Sequence, residues 1–240
     1  IGTDHAVQAL ALDTSANILI GGDFTNFDGV PCNGIARLHS NGSLDPAFNT
    51  GSAFQAISEP DIYALAVQTN GQVIAAGSFS TLGPSVCSNV VRLNSNGSRD
   101  TSFATVTSST VLGLPPGGNS KLILAGAFKS VNSVARPGVA RLNSDGSLDT
   151  AFGTGLGANE IVRAVALQPD GKLVVVGDFT AFDGVPRNHI ARLTCVTNTV
   201  TAPVITQQPA SQTVTAGSTV SFTVQASGTE PLKYQWRFNG

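Results

Sequence analysis

"RLHSNGSLDPAF" occupies residues 37–48, "RLNSNGSRDTSF" residues 92–103 and "RLNSDGSLDTAF" residues 141–152. Each stretch reads as a hairpin, with a polar three-residue loop that ends on Gly in the left-handed position. With Ser40-Asn41-Gly42 as the loop, Leu38 falls opposite Leu44 and Arg37 opposite Asp45. A two-residue loop would send each Arg and Asp to opposite faces, because one step of register flips every side chain. The register therefore predicts three cross-strand ion pairs, Arg37/Asp45, Arg92/Asp100 and Arg141/Asp149. Their recurrence in every unit suits a structural brace better than a ring of ligand-binding charges. A fourth copy keeps Arg192 but runs on as "LTCVTNTV", without the Asp, so Arg192 should differ from the other three.

A second shared block precedes each Arg-Leu: "VQALALDTSANILIGGDF", "IYALAVQTNGQVIAAGSF", "TVLGLPPGGNSKLILAGAF" and "VRAVALQPDGKLVVVGDF". The Phe that closes it stands at 24, 79, 128 and 179, spacings of 55, 49 and 51 residues. The turn rule places Val67 opposite Val73 and Leu167 opposite Leu173. Each copy thus reads as strand, tight turn, strand, loop, strand, tight turn, strand. Four strands at this period indicate an all-β protein, a β-propeller of four-stranded antiparallel blades. The repeats run over about 1–54, 55–106, 107–159 and 160–200.

Runs such as "KLVVVG" and "ILIGG" are apolar on both faces, which stacked blades explain. Ala9, Ala11, Ala64, Ala66, Ala164 and Ala166, with Gly113, mark the innermost strands, where backbones approach closely. The Phe residues of the two repeated motifs are expected as wedges between blades. The last repeat lacks a "SLDTAF" segment, and propellers have about 4–8 blades. The chain, which lacks Met and begins at Ile1, is expected to be a piece of a larger protein, an arc with open edges prone to self-association.

These residues also carry a resemblance. "LQPDGKLVVVGDF" with "RNHIARL" and "RLNSDGSLDTAF" is similar to the delta-60 repeat, over residues 1 to about 195. The resemblance implies a propeller in a secreted or surface protein of bacteria, and it implies no catalytic residue. After Val200 the composition changes. Residues 201–240, with "TVTAGSTVSFTVQASG" and "YQWRFNG", resemble the first half of a bacterial immunoglobulin-like domain with Trp236 as its core residue. Val224 stands where the strand-B cysteine would fall, so that bridge is absent. Forty residues cannot bury a two-sheet core.

Composition excludes several functions. Charged residues make up 12% and the net charge is −2, which gives no field to recruit nucleic acid. No apolar run is long enough for membrane insertion as a helix. Cys32 and Cys87 sit at equivalent points of neighbouring repeats, farther apart than a disulfide spans, and Cys195 reads as a free thiol. His5, His39 and His189 fall in different repeat contexts, and no nucleophile or phosphate motif occurs. The sequons at Asn41 and Asn96 coincide with hairpin turns.

One pattern asks for more. "GDFTNFDG" and "GDFTAFDG" each carry two aspartates, Asp23 with Asp28 and Asp178 with Asp183, and the other copies lose both. Paired gain and loss suggests a shared purpose, a Ca²⁺ site from oxygen ligands, against the plainer reading of turn caps that bond backbone amides. No other cofactor is indicated. The function expected is a non-catalytic scaffold or binding module of a secreted or cell-surface bacterial protein, with a protein or glycan as partner. The alternative is an accessory region of a large extracellular hydrolase whose catalytic domain lies elsewhere.

Overall fold

The computed structural model describes residues 2–51, 54–55, 60–82, 85–86, 88–115, 121–153, 155–193, 204–227, 232 and 234–237. The chain divides into two units, Ile1–Thr197 and Asn198–Gly240.

The first unit is all β, built as four repeats of one antiparallel sheet. The first sheet orders Val7–Leu12, Ile18–Gly22 and Ile35–Leu38 side by side. The second has Asp61–Val67, Val73–Ser78 and Val90–Leu93, and the third Val111–Gly113, Leu122–Gly126 and Val139–Leu142. The fourth has Val162–Leu167, Leu173–Gly177 and Ile190–Leu193. The fourth segment joins each of the first three sheets by a single bridge, Leu38 to Leu44, Leu93 to Arg99 and Leu142 to Leu148. Val67 pairs with Val73 and Leu167 with Leu173, so the three-residue loop sets the register as the sequence predicts. His39 donates its amide to Ser43 and Gly42 donates back to His39, with Gly42 at φ 85°, the left-handed conformation the turn needs.

The fourth segment stays short because its Asp leaves the ladder. The Asp45 carboxylate accepts the Ala47 amide at 2.9 Å and Phe48 donates its amide back to Asp45, which turns the chain and drives the Phe48 ring inward. Between the second and third strands lies a further small hairpin that the repeat pattern reads only as a loop. Asn26–Phe27 pairs with Val30–Pro31, and Ala181–Phe182 with Val185–Pro186. Asp28 and Gly29, and likewise Asp183 and Gly184, all have positive φ, the two-residue turn that suits strand twist.

The sheets stack through interlocking sizes. Every first strand carries a bulge at the same place, beside a Gly of the second strand. A Cβ on Gly77 would meet the Asp61 carbonyl oxygen at 2.0 Å, which is why the "GxF" corner keeps its Gly. Past the bulge, alternate residues point to opposite neighbours. Ala11 of the first sheet packs with Leu65 and Val67 of the second. Ala64 and Ala66 pack with Leu114 of the third, and Gly113 faces Val165 of the fourth. At each junction the earlier sheet offers small residues and the later one large residues.

Phe24, Phe79, Phe128 and Phe179 are at most 2% exposed, as are Phe103 and Phe152. All but Phe24 pack in clusters that span two repeats and so act as wedges between sheets, while Phe24 packs within its own repeat; each is worth about 3–5 kcal/mol against Ala. Leu10 and Leu12 on the first sheet are 69% and 68% exposed, and Ile190 on the fourth is 57% exposed.

In the second unit Val204–Gln207 pairs with Gln225–Ser227. Trp236 leans on Phe222 with ring centroids 6.3 Å apart. Trp236, the residue that the resemblance gives as the core residue, is 60% exposed.

Candidate functional site

The three predicted ion pairs form. Arg37 Nε donates to Asp45 Oδ2 at 2.8 Å, Arg92 Nε to Asp100 Oδ2 at 2.8 Å and Arg141 Nε to Asp149 Oδ2 at 2.7 Å. Each guanidinium also lies 4.8–5.0 Å from a ring centroid, over Phe48, Phe103 and Phe152. The remaining nitrogens reach forward. Arg37 Nη1 donates to the Ser95 carbonyl at 2.7 Å and Arg92 Nη1 to the Ser144 carbonyl at 2.5 Å, each in the next repeat. Beside the first contact a main-chain bond runs from the Asn49 amide to the Asn96 carbonyl, 2.9 Å. Gly97 is needed there, since a Cβ would come within 2.6 Å of the Asn49 nitrogen. The arginines and aspartates are therefore braces between sheets. Arg192 is exposed, and among the described residues it has no carboxylate within ion-pair reach.

The braces shift their carboxyl groups. The Ser102 hydroxyl, helped by Arg92, holds the Asp100 carboxyl down at about 2. Burial pushes Asp45 and Asp149 up, but the Ala47 amide and Arg37 outweigh it at Asp45, and Lys121 and Arg141 at Asp149, so both lie below the ordinary range.

Three of the four aspartates considered for a cation have separate partners. Asp28 Oδ1 accepts the Gly2 amide at 2.5 Å, and Asp183 Oδ1 accepts the Gly157 amide at 2.8 Å. Asn132 does the same for the Val106 amide at 2.9 Å, so the third repeat keeps the bond with a different residue. Asp178 is gripped by Arg163 through two hydrogen bonds of 2.7 Å, which lower its carboxyl pKa. Among the described residues no three His, Cys, Asp or Glu side chains converge on one point. Cys32 is a free thiol, while Cys87 and Cys195 lie outside the described residues.

Asp23 stands apart. The residue at the place of Arg163 in its own sheet is Gln8, which carries no charge. Among the described residues the buried Asp23 Oδ1 has no hydrogen-bond partner, and the same holds for Asp61 Oδ1 at the start of the second sheet's first strand. Burial and then the Asp23 charge raise the Asp61 carboxyl pKa, while a hydrogen bond from Tyr63 opposes the rise. Asp23 lines a cleft of about 200 Å³ with His5, Thr25, Asn33, Phe54 and Pro60, at the junction of the first two repeats. Such a place suits a group rich in hydroxyl or ammonium donors, which would satisfy oxygens that now face each other's charge.

Sequence reasoning passed over Asp61 because it precedes the repeated block and has no counterpart of its type at 6 or 161. A second device was missed too. Asp4 accepts the amides of Thr25 and Asn26, Ser108 those of Lys129 and Ser130, and Asn159 those of Thr180 and Ala181. Three different residue types do one job, so no motif announces it.

The architecture defines a propeller-repeat protein. A family model described as "Domain of unknown function (DUF5122) beta-propeller" matches residues 17–48, 68–103, 118–152 and 168–194, more than half of the chain. The chain belongs to this DUF5122 β-propeller family. Among solved structures it is similar to the extracellular domain of the B. thetaiotaomicron one-component system BT4673, with 13% identity and a TM-score of 0.47, over 78% of this chain. The overlap spans only 21% of that protein. It is also similar to the WD40 β-propeller domain of Doa1, with 12% identity and a TM-score of 0.34, over 82% of this chain and 85% of that one. No curated protein matches the sequence. No helix among the described residues is long and apolar enough to cross a membrane.

Proposed function

We propose that the chain is a non-catalytic binding module of a secreted or cell-surface bacterial protein, and that it holds a protein or glycan ligand at the cleft between its first two repeats. One observation carries the reading. The carboxylates of the braces are matched to arginines, whereas Asp23 on the cleft, and Asp61 between the cleft-lining Pro60 and Ile62, each keep a buried oxygen without a partner among the described residues. Leaving such oxygens unsatisfied costs about 1–3 kcal/mol each, which a ligand rich in hydroxyl or ammonium donors would recover. Rigidity supports the reading as well, since the braced sheets hold the cleft walls in place before a ligand arrives.

The test compares the native chain with Asp23→Asn/Asp61→Asn on immobilised oligosaccharides and on immobilised extracellular proteins. The expected result is binding by the native chain that the double variant loses while its melting temperature does not fall. Equal binding by both would place the ligand elsewhere on the surface.

A further inference from the structure

The four repeats record what the place of Asp23 holds when it is filled. In every sheet one residue of the first strand bulges, opposite the end of the second strand where a Gly is followed by the first residue of the corner. In the fourth sheet these two places hold Arg163 and Asp178, joined by two hydrogen bonds of 2.7 Å. In the second they hold Tyr63 and Ser78, and in the third Leu112 and Ala127, with no charge at either place. The first sheet has the carboxylate without the arginine, Asp23 with Gln8. Its buried Oδ1 has no partner among the described residues.

We propose that an arginine side chain of a partner protein fills this place, its guanidinium on Asp23 and its stem along the cleft. The proposal rests on the cleft being the ligand site and narrows the ligand to one chemistry. The fork of a guanidinium matches a carboxylate, as Arg163 demonstrates on Asp178. Phe54, Pro60 and Ile62 line the cleft and suit the methylene stem, which packs on apolar surface while its head stays polar. The brace arginines are seated in the same manner, over Phe48, Phe103 and Phe152. Asp61, between Pro60 and Ile62, adds a second carboxylate with an unpaired buried oxygen. A cation would relieve the charge that Asp23 exerts on Asp61, which a neutral sugar hydroxyl leaves in place. His5 is the basic residue on the cleft wall, and its Nδ1 stands 3.7 Å from Asp4 Oδ1. Residues 52–53 and 56–59, outside the described residues, contain no Lys or Arg that could supply the charge from the adjoining chain.

The test titrates N-acetyl-arginine amide, N-acetyl-citrulline amide and methyl glucoside into the native chain, followed by the NMR shifts of the Thr25, Gly34 and Ile62 amides. Citrulline keeps the shape of the arginine side chain without its charge. The arginine probe is expected to shift these amides to saturation, with the citrulline probe and the sugar at least about tenfold weaker. Asp23→Asn should remove that preference. Gln8→Arg would supply the guanidinium from within, as Arg163 does, so it should raise the melting temperature and weaken the arginine probe about tenfold or more. Citrulline or methyl glucoside binding as tightly as arginine would overturn the proposal and leave the cleft a ligand site. Absence of any shift with the three probes overturns it as well, and the immobilised oligosaccharides and proteins then decide whether the cleft binds at all. A folded Gln8→Arg chain with native affinity for the arginine probe would show that the guanidinium does not sit on Asp23, which also overturns the proposal.

Discussion

The guanidinium of Arg37 donates to the carbonyl of Ser95 at 2.7 Å, a side chain of one repeat bonded to the main chain of the next. The same guanidinium holds Asp45 at 2.8 Å, so one group ties its own hairpin and the neighbouring turn together. Arg141 and Asp149 are the most enclosed of these pairs, with side chains 4% and 6% exposed. Arg141→Ala should destabilise the first unit by about 3–5 kcal/mol, because Asp149 would lose its nearest buried counter-charge. Arg192→Ala, at the exposed position, should change the stability of the monomer by less than about 0.5 kcal/mol. Chemical denaturation of the two variants side by side checks both figures, and similar losses would refute the brace.

Acid should loosen the stack in a defined direction. The carboxyl groups of Asp45, Asp100 and Asp149 are held below their ordinary range in the fold, Asp100 at about 2. A carboxyl depressed by folding adds stability above its unfolded value, near about 4, and loses it as pH falls through the folded value. The melting temperature should hold from neutral to about pH 5 and then fall toward about pH 2. In Arg92→Met/Asp100→Leu that acid fall should be shallower.

Asp61 has the opposite sign. Burial and the Asp23 charge raise its carboxyl pKa, so the folded state binds this proton more tightly than the unfolded chain does. The ionised group therefore opposes folding at neutral pH. Asp61→Asn should melt higher than the native chain at pH 7, and the gap should close as pH falls. A lower melting temperature at neutral pH would mean that Asp61 has a structural partner instead.

Ala16 occupies the left-handed place of the first hairpin at φ 60°, where the second and fourth repeats have Gly71 and Gly171 at φ 80°. The Cβ makes this conformation unfavourable by about 1–2 kcal/mol, and the greater freedom of Gly in the unfolded chain returns part of it. Ala16→Gly should stabilise the unit by about 0.5–1 kcal/mol, read as an increase in the denaturation midpoint at constant slope.

The aspartates of the loops can be separated by substitution and by calcium. Asn132 makes the same kind of bond as Asp183, so Asp183→Asn should be tolerated, while Asp183→Ala should cost about 1 kcal/mol. With Arg163 on Asp178 and amides on Asp28 and Asp183, millimolar Ca²⁺ should leave the melting temperature unchanged. A rise that Asp178→Asn abolishes would show a cation displacing Arg163.

What could be read from the residues alone was whatever each repeat states in the same letters. The Gly of the "SNGS" and "SDGS" turns sets register, and register sets Arg opposite Asp, so fold and brace follow from local chemistry. The small hairpin is different: "FDGV" does carry the Asp-Gly signal, but only two residues on each side pair, too few for alternation to show. Asp4, Ser108 and Asn159 share a task without sharing a residue type. The Asp23 charge acts on Asp61 of the next repeat across a stretch of sequence with no periodic relation, and only packing brings them near each other. Trp236 shows another limit: a motif shows which residue is suited to a core without showing what packs around it.

The acceptor in the brace is a main-chain carbonyl, and this has a consequence for how such a molecule can grow. Every residue supplies that oxygen, so a repeat copied whole brings its own arginine, aspartate and turn, and finds a ready acceptor in whatever repeat follows. A gene could lengthen or shorten the array by unequal exchange without reinventing a junction, leaving the connecting loops free to diverge.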